Sequence, residues 1–85
     1  MMAKEIEILV NDGCTRKEAE RHLASGTVVF EEKDFRTHFS GYMDEWGIED
    51  EDRQPYKEML EKKKPMTDWG AVEYDGEWYF IAYVL

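Results

Sequence analysis

Cys14, His22 and His38 are the only side chains in the chain that carry a thiol or an imidazole. Nucleophilic catalysis would need the thiol beside a base, with a third group holding that base in place. Cys14 stands just before a stretch that reads as a helix, and a thiol at a helix N-terminus is readily acidified. His22 lies on the same stretch about two turns further on, roughly 10–12 Å away at the helical rise. The two cannot meet through that helix. His38 neighbours an apolar stripe rather than belonging to it, so it is expected to face solvent. These residues read as two surface histidines and a half-buried thiol.

Metal chemistry is no better supplied. The chain has neither Cys-x-x-Cys nor His-Glu-x-x-His spacing. The run Asp44, Glu45, Glu49, Asp50, Glu51, Asp52 matches a calcium loop in charge only. A helix-loop-helix calcium site needs ligands at alternating positions, a central glycine and a terminal bidentate glutamate. Here Trp46, Gly47 and Ile48 occupy positions where ligands would stand. No glycine-rich loop opens a helix to cradle phosphate. Lys62, Lys63 and Lys64 sit where a helix C-terminus favours cations, so they read as dipole partners rather than a nucleic-acid patch. Among the 20 carboxylates, nothing marks a particular acid–base pair. No catalytic, cofactor or metal site is therefore expected, and the protein does not read as an enzyme.

The elements that would position any site follow from local signals. Ile6, Leu9 and Val10 share a helix face, and Asn11-Asp12-Gly13 stops that helix. Thr15 and Glu18 form a capping box for a second helix carrying Ala19 and Leu23, closed by Gly26. Thr27 to Glu31 favours a strand. Asp34 is the expected cap of a longer helix to about Trp46, whose stripe is Phe35, Phe39, Tyr42, Met43 and Trp46. Gly41 interrupts it at a modest cost, and Gly47 closes it. A further helix, with Tyr56, Met59 and Leu60 on one face, runs from near Gln54 to Lys63. Pro55 fits its first turn, and Pro65 stops it.

The C-terminus reads as a hairpin of Ala71 to Tyr74 and Glu77 to Leu85 around Asp75-Gly76, the residue pair of a type I′ turn. Two-residue pairing sets Tyr74 opposite Glu77, Val72 opposite Tyr79 and Gly70 opposite Ile81. One face then carries Trp69, Ala71, Glu73, Trp78, Phe80, Ala82 and Val84. The other carries Val72, Tyr74, Tyr79, Ile81, Tyr83 and Leu85. Both are mostly apolar, so the last strand is expected to be central or covered on both sides. The fold class is α+β: about four short helices on a small three-stranded antiparallel sheet, with Thr27 to Glu31 as the third strand, in a single domain over 1–85.

Two parts of this sequence resemble small uncharacterised proteins encoded on bacterial conjugative and other mobile elements. One is Cys14-Thr15-Arg16-Lys17-Glu18-Ala19-Glu20-Arg21-His22-Leu23, followed by Gly26-Thr27. The other is Asp68-Trp69-Gly70 with Glu73-Tyr74-Asp75-Gly76 and the tyrosine-rich last strand. The resemblance covers most of the chain. It implies a mobile-element setting, in which small accessory proteins often act by binding, and assigns no activity to any residue.

Charge and composition bound the partners. Twenty acidic and eleven basic residues among 85 give a formal charge of -9. Such a field repels nucleic acid and anionic lipid and attracts basic partners. Solubility alone accounts for it in most small acidic proteins. One cysteine cannot form an internal disulfide, and no window has the apolar length of a membrane helix. With no signal-peptide pattern at the N-terminus, the expected location is the cytoplasm.

Three functions follow. The preferred one is a protein–protein interaction module whose Tyr74, Tyr79 and Tyr83 face meets itself or another chain, since tyrosine is enriched at such surfaces. The preference rests on the chain being too short to cover both sides of its hairpin. The second is an acidic decoy whose Glu49, Asp50, Glu51 and Asp52 occupy a basic nucleic-acid-binding groove, in the manner of anti-restriction and anti-CRISPR proteins. An unrecognised enzyme ranks last. Direct nucleic-acid binding, membrane association and cofactors are not expected.

Overall fold

The computed structural model describes residues 3–84. Their order is α1 (Ala3–Asn11), α2 (Arg16–Ala24), β1 (Val28–Glu31), α3 (Glu32–Thr37), α4 (Phe39–Glu45), a 3-10 turn (Asp50–Asp52), α5 (Gln54–Lys62), β2 (Trp69–Tyr74) and β3 (Glu77–Ala82). The strands form one antiparallel sheet in the order β1-β3-β2. This is the expected α+β fold with its C-terminal hairpin, built on five helices rather than about four.

The local signals act where the sequence places them. Thr15 Oγ1 accepts from the Glu18 amide at 3.1 Å, and the Thr15 amide donates back to Glu18 Oε1 at 2.8 Å. That hydrogen bonding holds the Glu18 carboxyl below its ordinary pKa. In the hairpin turn, Asp75 and Gly76 take φ of 52° and 80°, the left-handed pair that a type I′ turn requires. The register is Tyr74 with Glu77, Val72 with Tyr79 and Gly70 with Ile81. Pro55 lies in the first turn of α5, where its missing N–H has no partner to lose. Lys63 ends α5 at φ 57°, and its ammonium meets Glu32 Oε2 at 2.6 Å, tying α5 to α3.

Three local expectations need correction. The long helix from Asp34 to Trp46 is two helices, starting at Glu32 and broken at His38, where φ is -107° and ψ 19°. Just before the break, Thr37 Oγ1 donates to the Lys33 carbonyl at 2.8 Å, and His38 Nδ1 lies 3.2 Å from the Asp34 carbonyl. Side chains there compete for backbone carbonyls, which bends or ends a helix. Most of the stripe survives the break: Phe35 and Met43 are buried, with Phe39 and Tyr42 packed beside them, but Trp46 at its end is exposed rather than core. In α1, Ile8 is buried and Val10 is exposed, because α1 packs against both α2 and the sheet and buries a different arc from the expected one. Finally, β3 ends at Ala82, and Leu85 lies outside the described residues.

The sheet is the middle of three layers. On one face Tyr79 and Ile81, with Val29 and Val72, pack against Ile6, Ile8 and Leu9 of α1 and Ala19 of α2. On the other, Phe80, with Phe30, Trp69 and Ala71, packs against Phe35, Met43, Met59 and Leu60. Central β3 therefore reads as a continuous apolar run. A nine-residue helix spans about 13 Å, and three strands about 10 Å across. The two N-terminal helices, of nine residues each, are thus long enough to roof the sheet.

Candidate functional site

That roof covers Tyr79, the centre of the expected tyrosine recognition face, and leaves Tyr74 and Tyr83 half-buried. Tyr79 is 2% exposed beneath α1, with the Lys4 ammonium 5.3 Å from the centre of its ring. Tyr74 is half-buried, and its hydroxyl donates to Glu7 at 2.7 Å. Tyr83 is half-buried at the end of the sheet, and its hydroxyl donates to Asp12 Oδ2 at 2.5 Å. These tyrosines serve the chain's own α1 and the α1–α2 turn. Burial under a helix takes Tyr79 out of reach of a partner.

Around Tyr83 the fold gathers residues far apart in sequence. Cys14 Sγ lies 3.7 Å from the Tyr83 hydroxyl. The His22 ring meets the Tyr83 ring edge-on, with centroids 5.0 Å apart. Asp12, Cys14, Glu18, His22, Asp68 and Tyr83 line an open cleft of about 390 Å³. The Asp12 carboxylate lies over Gly70, where a methyl group would overlap it and come within 3.1 Å of the Tyr83 ring. Burial above all, then the hydrogen bond to Asp12 and the nearby thiol, hold the Tyr83 phenol above its ordinary pKa. A phenol that keeps its proton on a carboxylate is a latch. It is not an activated nucleophile. Among the described residues no hydrogen bond joins His22 to Cys14, and no group of three or more His, Cys, Asp or Glu side chains is placed to hold a metal ion. The sequence signal for this cluster is Gly70, a glycine inside a strand of bulky residues, which marks close approach of another group to the backbone.

The second concentration of chemistry is the acidic corner where α4 gives way to the 3-10 turn and α5. Asp44, Glu45, Glu49, Asp50, Glu51 and Asp52 are all exposed there. Among the described residues Arg53 alone answers them: its Nη2 meets Asp44 at 2.8 Å and its Nε meets Asp50 at 3.5 Å. Its Nε also donates to the Ile48 carbonyl at 2.9 Å, which fixes the turn. Among the described residues no ion pair engages Glu45, Glu49, Glu51 or Asp52. Trp46 belongs to the same stretch of chain, between Glu45 and Glu49, and is 38% exposed. Its ring stacks on Tyr42 at 5.4 Å and 12°, and it reaches Trp69 at 5.8 Å. The indole is held in place from behind while one side stays open.

No protein-family model matches the chain, no curated protein matches it, and no solved structure matches it. Among the described residues no helix is long and apolar enough to cross a membrane.

Proposed function

We propose that the protein is a non-catalytic binding module that takes a basic protein partner on its acidic corner. The observation that carries this reading is Trp46, a half-open indole fixed by stacking on Tyr42 within the acidic run Asp44–Asp52, whose carboxylates, among the described residues, pair with Arg53 alone. A rigid tryptophan inside a polar rim has the anatomy of an interface anchor. The surrounding negative field steers a basic partner toward it. An interaction module is still the class proposed, with this corner favoured over the tyrosine face because Tyr79 at its centre is buried.

The test is a titration with an oligo-arginine peptide, followed by Trp fluorescence at low and high salt. Binding should weaken steeply with salt, because exposed charges are screened within about 10 Å at 0.1 M. Replacing Glu49, Asp50, Glu51 and Asp52 together by their amides should remove most of the binding and leave the melting temperature nearly unchanged. Undiminished binding by that variant would refute the reading.

A further inference from the structure

Gly41 lies inside α4 with ordinary helical backbone. Nothing lies within 4 Å of the position a Cβ would take. Glycine weakens a helix interior relative to alanine, and neither a positive φ nor a crowded neighbour requires it here. What its missing side chain leaves is space. Gly41 lines a depression of about 290 Å³ bounded by Asp34, His38, Tyr42 and Glu45. His38, Gly41, Tyr42 and Glu45 follow one another at i, i+3, i+4 and i+7, so they share one helix face.

Carboxylates bound the depression at both ends, Asp34 from α3 and Glu45 from the last turn of α4. Asp34 Oδ2 accepts from the Tyr42 hydroxyl at 2.7 Å, and Asp34 Oδ1 lies 3.2 Å from His38 Nδ1. The Asp34 bond above all, with burial and the fields of Asp34 and Glu45, holds the Tyr42 phenol above its ordinary pKa. Tyr42 carries the stacked Trp46, so the depression adjoins the indole of the acidic corner.

We propose that this depression receives an arginine side chain of the basic partner, its stem lying across Gly41 and its guanidinium held between Asp34 and Glu45. This rests on the reading of the acidic corner as a docking surface. Charge complementarity selects a cation. Arginine is favoured over lysine because its planar fork can meet two carboxylates at once. An open glycine lets the stem approach the helix backbone, where a bulky side chain would stand in the way.

The probe is the same oligo-arginine peptide, titrated into the full chain and its variants. Gly41→Leu fills the depression with a strong helix former. It should raise Tm by about 5 °C while weakening peptide binding by about tenfold or more. Gly41→Ala should raise Tm similarly and weaken binding much less, which separates filling of the space from stiffening of the helix. Glu45→Gln should weaken binding by about tenfold through loss of one charged partner. Wild-type affinity in Gly41→Leu and Glu45→Gln, alongside loss in the four-amide variant, would overturn the arginine site and leave the acidic-corner reading standing. Wild-type affinity in all of these, or no binding by the unaltered chain at low salt, would overturn both.

Discussion

Tyr83→Phe tests whether the far end of the sheet is held by a hydrogen-bonded latch. The substitution removes one oxygen and leaves the ring on His22 and above Gly70. Asp12 then loses the donor at 2.5 Å. A hydrogen bond to a charged acceptor contributes about 1.5–3 kcal/mol net. Both partners are only partly buried, so water can replace the donor, and the expected loss lies near the lower end, about 1.5 kcal/mol. For a domain of this size that corresponds to about 6–12 °C in Tm. The linkage adds a second readout. The Tyr83 phenol is held above its ordinary range, so the folded protein keeps a proton that the unfolded chain gives up. That stabilisation is complete below a pH of about 10, the ordinary tyrosine value, and is lost as pH climbs above it. Tyr42 and Tyr74 are also raised, through bonds to Asp34 and Glu7, so the variant should flatten the alkaline loss of stability without abolishing it. Urea melts of both proteins at neutral pH and at a pH of about 11 make the comparison. Equal stability at neutral pH with the same alkaline slope would show that the latch contributes nothing.

Three further substitutions probe the frame that carries the acidic corner. Gly76→Val places a β-branched residue at φ 80° in the hairpin turn, and should destabilise by more than about 1 kcal/mol, read as a lower urea midpoint. Phe35→Ala truncates a side chain with 0% exposure that touches both Phe80 and Trp69. It should cost about 3–5 kcal/mol; Phe39→Ala, only partly buried, should cost less, and the reverse order in thermal melts would contradict the packing.

Much of the fold was legible because its signals are local. A capping box involves residues three apart, and a type I′ turn needs two residues with positive φ. Once Asp75-Gly76 sets the turn, the whole β2–β3 register follows. Pro55, the end of α5 and the central place of β3 were readable for the same reason. The break at His38 escaped because the Phe35–Trp46 periodicity continues through it. The apolar stripe reports which face is buried, and it says nothing of which carbonyls Thr37 and His38 capture.

The candidate sites divide along the same line. The acidic run, the stripe ending at Trp46 and the glycine within it stand in the sequence. Chemistry and spacing suffice to say that a charged corner adjoins an aromatic ridge. Which apolar surface stays open is a different kind of fact. In the sequence Tyr79 stands on the expected recognition face and Trp46 in the expected core stripe, yet α1 covers Tyr79 while Trp46, backed by Tyr42 and Trp69, stays 38% exposed. That outcome depends on how the α1–α2 pair lies across three strands. The meeting of Asp12 with Tyr83, 71 residues apart, depends on it as well. Burial is decided by the summed apolar area of layers that are remote in the chain, and no window of residues contains that sum.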